Sequence, residues 1–361
     1  MKRQVKSVCA ILLVVLLIVS MAACGGNAPA PAPATAPAAD TTAPTQAEAP
    51  TNTDPIVMVW NPNESGTGTA GAREAFSYFI ERATGRPVEH MLTTDYVIAI
   101  EAIASGAADL AYMGAIGYIT ASTRNPELGT LVTVSGASGT LDDALYFSWF
   151  AVQAGNADDH RDAAGNLTID NIPGQRMTFV SLTSTSGFVV PSADLISYFA
   201  EHDLDEDSLL GGGFFSDVVF GGSHQGAMFN VLDGRADVGA FADIVMMNYL
   251  VLVEGEHNQV GAVYAVREGA EAPFHNSIGE QITLIRSIPV LNPPFVFNPS
   301  NLSAEEIEAI RQILITDEVA NNQDIFFPAD GSTTGLFRKS ADERLVLVEN
   351  AWYQPLRDLA G

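Results

Sequence analysis

Basic residues are scarce in this chain, and lysine is nearly missing. The 361 residues include 17 lysines and arginines against 43 aspartates and glutamates, which gives a formal net charge of −26. Nucleic-acid binding requires a basic surface that neutralises phosphates, so this composition predicts no nucleic-acid partner. Because 47% of the residues are hydrophobic and only 17% are charged, the composition also excludes a disordered acidic protein.

Cysteine is equally rare, with only Cys9 and Cys24 in the whole chain. Both lie near the N-terminus, ahead of any pattern that predicts strands or helices. Disulfides, thiol catalysis and cysteine-based zinc sites are therefore excluded from the predicted folded part. The histidines show no i, i+4 pair typical of a metal site, and the sequence has no HExxH, CxxC, GxxxxGKS/T or GxSxG motif. We predict neither a metal nor a cofactor.

The N-terminal segment has the pattern of a bacterial export signal. Three basic residues precede an apolar run at 7–21, and two alanines then lead to Cys24. The run is shorter than the roughly 20 residues of a membrane span, which favours a cleaved signal peptide at 1–23 over a transmembrane anchor. The small residues before Cys24 resemble the lipobox of bacterial lipoproteins. This resemblance implies a lipid on Cys24 and attachment to the outer face of the cell membrane.

Alanine, proline and threonine dominate the stretch that follows Cys24. Such a composition does not bury a core and stays extended and solvated. We therefore predict a disordered tether over 24–54, which holds the folded part away from the membrane.

Beyond the tether, short apolar runs alternate with segments of helical periodicity. Strands joined in this way by short helical links indicate α/β units, and the alternation occurs twice. Ligands of such sheets bind beyond the carboxyl ends of the strands. The predicted strands are 56–60, 87–92, 108–114, 175–180, 217–222 and 236–242, and the helices between them begin near 73, 94, 187 and 224.

Four segments, in order along the chain, resemble the phosphonate- and phosphite-binding proteins of ABC transporters: 94–121, 167–191, 220–241 and 286–305. The most specific feature combines a Ser-Thr-Ser-Gly turn after one strand with a Ser-His pair that opens a later helix. The resemblance implies a type II periplasmic-binding-protein-like α/β fold with two lobes, each a mostly parallel sheet flanked by helices, and a ligand cleft between them. It also implies a monomer that delivers its ligand to an ABC permease.

The two lobes are expected to exchange segments of the chain. We predict that lobe 1 comprises 55–150 and 287–361 and that lobe 2 comprises 151–286. The crossing segments near Phe150 and Ser287 would then form a hinge that closes on the ligand.

Ser184, Thr185 and Ser186 stand between a predicted strand and a predicted helix. Their hydroxyls and the amides of the helix start form an anion site of neutral donors, although a plain helix cap is an alternative. The resemblance implies that these residues hold phosphonate oxygens and that His224 donates to the same group. A bound anion would then favour the charged imidazole of His224.

Other candidates rest on the resemblance alone. Tyr96, Tyr146 and Tyr118 match aromatic positions that line the family's pocket, while core packing is the alternative for each. Asp243 matches an acidic position that binds the amine of aminoalkyl-phosphonates in some members, and a solvated strand-end aspartate is its alternative.

The function predicted from these features is capture of a phosphonate, phosphite or phosphate by an extracytoplasmic solute-binding lipoprotein, without catalysis. Two alternatives remain open at this point. One is an exported hydrolase of small phosphorus esters that uses Ser186, His224 and Asp243. The other is a lipoprotein that senses the same ligand and signals to a partner.

Overall fold

The computed structural model describes residues 52–64, 66–211, 213–329 and 333–360. The predicted signal peptide, the predicted lipidation site Cys24 and nearly all of the predicted tether lie outside these ranges, so they stay predictions. Within the described ranges, every helix is too short or too polar to cross a bilayer.

Strands and helices alternate through the described ranges, as the apolar periodicity predicts. The strands are β1 (Ile56–Trp60), β2 (Val88–Leu92), β3 (Leu110–Tyr112), β4 (Gly129–Val134), β5 (Leu145–Gln153), β6 (Arg176–Phe179), β7 (Asp217–Phe220), β8 (Val238–Ala242), β9 (Leu250–Glu254), β10 (Val263–Val266), β11 (Gln281–Leu291), β12 (Pro294–Phe297), β13 (Phe326–Pro328), β14 (Phe337–Lys339) and β15 (Leu345–Leu347). The helices are α1 (Ala70–Thr84), α2 (Tyr96–Ser105), α3 (Ala115–Arg124), α4 (Val190–Tyr198), α5 (Glu206–Gly211), α6 (His224–Leu232), α7 (Asp243–Met246), α8 (Ala304–Leu314), α9 (Asp317–Ala320) and α10 (Gln354–Ala360).

The first sheet has the order β15-β4-β12-β3-β1-β2. Strand β1, which lies between β3 and β2, is a nearly continuous apolar run and is buried, as expected of a strand covered on both faces. Helix α1 buries Phe76, Phe79 and Ile80 at helical spacing and ends at Gly85, whose φ of 74° is left-handed. One core therefore joins α1, α8 and this sheet.

The second sheet has the order β7-β6-β8-β5-β11-β10-β9. The prediction of two α/β units is confirmed, but both sheets are mixed rather than mostly parallel. Strand β1 is parallel to β2 and β3, and β6 is parallel to β7 and β8, whereas the remaining pairings within these two sheets are antiparallel. The antiparallel strands include those of the segments that cross between the sheets, β4, β5, β11 and β12.

Those crossing segments lie side by side. The chain leaves the first sheet after β4, enters the second as β5, and returns from β11 to β12. Strands β5 and β11 pair along their length, with Trp149 opposite Ser287 and Phe150 opposite Arg286. The expected crossing positions are therefore neighbours in the structure, while the exact lobe boundaries stay a prediction. This arrangement brings the carboxyl ends of β1, β3, β6 and β8 to one place.

Candidate ligand-binding site

A small cavity lies where these four strands end. Its volume is about 30 Å³, and one water molecule needs roughly 10–15 Å³ on this measure, so the cavity suits a group of only a few atoms. The two sheets contribute to opposite walls. The lining residues are Asn61, Asn63, Glu64, Tyr96, Tyr112, Met113, Gly114, Tyr146, Ser184, Thr185, Ser186, His224, Ala242, Ile244, Val245 and Pro293.

The serine and threonine cluster forms a π-helical turn that continues into α4. Ser184 caps this turn, since its Oγ accepts a hydrogen bond of 3.1 Å from the amide of Gly187. A side chain at Gly187 would place its Cβ 2.4 Å from the Cβ of Val180, so the turn packs against the end of β6 only with glycine there. Ser184, Thr185 and Ser186 all line the cavity.

Thr185 contacts the opposite wall directly. The amide of Ile116, at the start of α3, donates to Thr185 Oγ1 over 2.9 Å. A Cβ on Gly114 would lie 2.7 Å from the same oxygen, so glycine is needed for this close approach. Helix α3 begins at Ala115, directly after Gly114.

His224 begins α6 and is held as a neutral imidazole. Its Nδ1 accepts a hydrogen bond of 2.9 Å from the amide of Ala242, so the ring proton lies on Nε2, free to act as a donor. Burial lowers the pKa of His224 to about 3. The geometry thus favours the neutral form, and the charging of the ring by a bound anion stays a prediction.

Asn63 makes three hydrogen bonds, two of which join the two walls. Its Nδ2 donates to the Tyr96 hydroxyl over 2.6 Å, and its Oδ1 accepts from the amide of His224 over 3.0 Å. Its carbonyl accepts from Gln225 Nε2 over 2.9 Å. The sequence analysis missed Asn63 and Glu64. Their position just after the buried strand β1 was the available signal, because ligands bind at the carboxyl ends of such strands.

Tyr96 and Tyr146 are both buried in the cavity wall. The Tyr146 hydroxyl lies within hydrogen-bonding range of the Ser186 and Thr185 side chains. Burial raises the pKa of both tyrosines, so each hydroxyl stays protonated and can donate. The structure therefore groups these two tyrosines with Ser184, Thr185, Ser186 and His224, while their role in binding stays a prediction.

Tyr118 and Asp243 lie elsewhere. The Tyr118 ring packs against Tyr353 and beneath the Arg357 guanidinium, which is 5.5 Å from the ring centroid. Asp243 accepts a hydrogen bond of 2.9 Å from the Phe147 amide through Oδ1 and another of 2.9 Å from Asn258 Nδ2 through Oδ2. Both carboxylate oxygens are thus used within the protein, and Asp243 lines a separate cavity of about 250 Å³. This geometry argues against a role for Asp243 in binding an amine.

The carboxyl group that does reach the cavity belongs to Glu64. The Glu64 side chain is buried, and its Oε2 has no hydrogen-bond partner. The residues that line the cavity include no lysine or arginine. In the described ranges, no group of three or more His, Cys, Asp or Glu side chains is placed to hold a metal. The cavity therefore offers hydroxyl, amide and imidazole donors together with one carboxyl group.

Comparison with known proteins places the chain in a family. The profile described as "ABC transporter, phosphonate, periplasmic substrate-binding protein" matches residues 58–344. The phosphate-import protein PhnD of Mycolicibacterium smegmatis is 24% identical over 207 residues, which cover 56% of this chain. The same alignment spans 59% of that relative, less than two thirds of its length.

Solved structures show the same fold. A binding protein component of an ABC phosphonate transporter from Pseudomonas aeruginosa matches with a TM-score of 0.61 and 17% identity, over 86% of each chain. PhnD1 from Prochlorococcus marinus, in complex with methylphosphonate, matches with a TM-score of 0.59 and 15% identity, over 86% of this chain and 98% of its own. Because the family profile spans most of the described residues, this chain belongs to the periplasmic substrate-binding proteins of phosphonate ABC transporters.

Proposed function

We propose that this protein captures a small phosphorus oxyanion, a phosphonate, phosphite or phosphate, in the small cavity and delivers it to an ABC permease. The observation that supports this most directly is the lining of the cavity. Hydroxyls from one wall, an imidazole N–H and tyrosine hydroxyls converge on a space of about 30 Å³. Such donors bind an oxyanion by short hydrogen bonds, which are strong when one partner is charged.

The overall charge supports this mode of binding. A chain with a net charge of −26 repels anions at long range. Binding must then come from contacts made at short range inside the cavity. Neutral donors at helix starts and strand ends provide such contacts without a basic patch.

Delivery is proposed to follow hinge closure about β5 and β11. These paired strands link the two halves, and the cavity takes residues from both. A ligand that contacts both walls favours the closed state by its differential affinity for that state. The predicted lobes, 55–150 with 287–361 and 151–286, would move as the two bodies, in a protein acting as a monomer.

We also propose that the protein is exported and anchored by a lipid on Cys24. The N-terminal pattern and the predicted tether support this part of the proposal. Replacing Cys24 with serine (C24S) is expected to release the protein from the membrane fraction, and intact-mass analysis of the wild type should show an acylated N-terminus. An unmodified Cys24 in membrane-extracted protein would refute the anchor.

Calorimetric titration tests the ligand class. Methylphosphonate, phosphite, phosphate and 2-aminoethylphosphonate would be titrated into the purified folded part at neutral pH, with sulfate as a control anion. At least one phosphorus oxyanion should bind more tightly than sulfate. If none of the four binds, the proposed ligand class is wrong.

The geometry favours binding over the hydrolase alternative. A Ser186, His224 and Asp243 triad requires Asp243 to orient the imidazole. Instead, His224 Nδ1 accepts from the Ala242 amide, and Asp243 accepts from Phe147 and Asn258. Substrate-binding proteins of ABC transporters are not enzymes, and release of phosphate from a phosphonate by this protein would contradict the proposal.

A further inference from the structure

Glu64 is a buried acid that the proposed function does not yet use. Its side chain lines the cavity, the residue is only 5% exposed, and Oε2 has no hydrogen-bond partner. A buried, unpartnered oxygen of a carboxyl group is costly unless something binds it. The position of Glu64 at the end of β1 is well fixed, because Arg73 donates to its carbonyl oxygen and to that of Gly66.

Burial raises the pKa of Glu64 by more than the cationic Arg73 lowers it, and the other groups that face Glu64 carry no positive charge. From α2, β3 and β5, the tyrosines Tyr96, Tyr112 and Tyr146 face the cavity, and burial raises the pKa of all three. From α6, His224 faces it as a neutral imidazole. From α1, Arg73 donates through Nη1 to backbone oxygens and to the Thr69 hydroxyl.

Asp243, the acid that begins α7, lies beyond Tyr146. Its two oxygens are held by protein donors, and burial raises its pKa to about 6. It adds negative charge near the cavity when ionised, so it cannot offset the charge of a bound anion.

Two negative oxygens cannot occupy this cavity together without a proton between them. A phosphonate or phosphate has a second pKa near neutrality, about 6 for a phosphate monoester, so above neutral pH it is a dianion. An ionised Glu64 in contact with that dianion would face it in a water-poor space that has no lysine or arginine in its lining. A single proton converts this repulsion into a short, charge-assisted hydrogen bond.

We propose that Glu64 is a specificity-determining residue that shares one proton with the bound phosphorus oxyanion. The proton is carried either by Glu64, which donates to a dianion, or by a P–OH group, which donates to the Glu64 carboxylate. The inference rests on the proposed function and adds to it the protonation state of the bound pair. When both free partners are ionised, one proton is taken up from solvent for each ligand bound.

The pH range of the effect follows from the ionisation of Glu64. Burial raises its pKa to about 8, so the free protein supplies the proton below that pH. Above it, binding must take the proton from solvent, and the affinity falls by up to tenfold per pH unit. By pH 9.5 the wild type should bind methylphosphonate about 30-fold more weakly than at pH 7.

The test is calorimetric titration of methylphosphonate and of phosphate between pH 7 and 10. Each pH is measured in two buffers with different ionisation enthalpies, which gives the number of protons taken up. The wild type should take up close to one proton at pH 9.5. In the Glu64→Gln variant the amide is a permanent donor, so we expect no proton uptake and an affinity that changes less than threefold over this range.

Glu74→Gln is the matched control, because it removes one negative charge from an exposed position on α1. The affinity of this control should change with pH as steeply as that of the wild type. Zero proton uptake by the wild type at pH 9.5 would overturn the inference without use of any variant. The inference would also be overturned if the affinity of the Glu64→Gln variant fell with pH as steeply as that of the wild type.

A third outcome would also overturn it. If 2-aminoethylphosphonate binds more than tenfold tighter than methylphosphonate and Glu64→Gln removes this advantage, then Glu64 pairs with an ammonium group instead of sharing a proton. Failure of all ligands to bind at pH 7 would refute the proposed function itself. If a ligand binds at pH 7 but no proton is taken up at pH 9.5, only the inference about Glu64 fails. The two failures are therefore distinguishable.

Discussion

At the scale of single residues, the hydrogen-bond donors that line the cavity are side chains in their uncharged forms. His224 is neutral, the tyrosines are protonated, and the hydroxyls of Ser184, Thr185 and Ser186 carry no charge. An anion that enters therefore meets donors that need no counter-charge of their own. Under the proposed function, this explains how a strongly acidic protein can hold an anion, and individual hydrogen bonds then become the main determinants of affinity.

Thr185→Ala removes a hydroxyl that faces the cavity and accepts from the Ile116 amide. A hydrogen bond to a charged group contributes about 1.5–3 kcal/mol, so the affinity for the best oxyanion should fall by roughly 10- to 150-fold. Isothermal calorimetry measures this, and circular dichroism checks the fold. Thr123→Ala, an exposed threonine of α3, is the control and should bind like the wild type. Equal affinities for both variants would contradict a direct role of Thr185.

Glu64 also makes stability depend on pH in the absence of ligand. Because burial raises its folded-state pKa to about 8, its contribution is complete below the unfolded pKa of about 4.3 and is lost as pH rises through 8. The wild type should lose about 2 kcal/mol of unfolding free energy between pH 6.5 and 8.5. Urea denaturation measures the change, and Glu64→Gln should abolish most of it. A loss of equal size in that variant would assign the effect to another group.

At the scale of elements, the site depends on how two helix starts approach each other. The π-helical turn before α4 and the first turn of α3 meet at Thr185 and Ile116, and Gly114 leaves the space for it. Local sequence predicts both helices, since each follows an apolar strand. Their approach is a tertiary contact that no local pattern contains.

Gly114→Ala should hinder this approach, because the added Cβ would lie 2.7 Å from Thr185 Oγ1. We expect at least tenfold weaker binding with little change in stability, since the backbone at Gly114 is not left-handed. Gly155→Ala is the control, as a Cβ there meets no atom within 4 Å. In small-angle scattering at saturating ligand, the Gly114→Ala variant should have a larger radius of gyration than the wild type. Unchanged affinity would mean that the contact does not matter for closure.

The sequence predicted the strands and helices well and the site only in part. Apolar runs such as Ile56–Trp60 mark buried strands directly. The direction of each strand within its sheet could not be predicted in this way. The antiparallel pairing of β5 with β11 joins distant segments, and neither segment alone indicates it. Asn63 was missed because it acts through hydrogen bonds to a helix far along the chain. The role of Asp243 could not be assigned from the sequence, because a strand-end carboxylate looks the same whether it faces a ligand or a backbone amide.

At the scale of the whole molecule, two paired strands connect the halves and a few direct bonds join the walls. Asn63 and Gln225 form one of these bonds at a distance from the centre of the cavity, and Gln225 does not line it. The affinity of such a protein has two parts, namely the contacts with the ligand and the ease of closing. Residues like Gln225 act on the second part alone.

Gln225→Met removes the hydrogen bond from Nε2 to the Asn63 carbonyl, which measures 2.9 Å. A neutral hydrogen bond contributes about 0.5–1.5 kcal/mol, so every ligand should bind roughly 2- to 12-fold more weakly. The factor should be the same for phosphate, phosphite and methylphosphonate, as competition calorimetry can show. A change in the order of preference would place Gln225 in contact with the ligand.

The hydrogen bonds between the walls therefore adjust the affinity for every ligand by the same factor. Only the closed fraction of molecules binds fully, and the apparent dissociation constant is the intrinsic constant divided by that fraction. Under the proposed closure, evolution can match the protein to scarce or abundant supplies of its ligand by changing Gln225, without touching the residues that line the cavity. The overall affinity for ligands and the preference among them can then change independently.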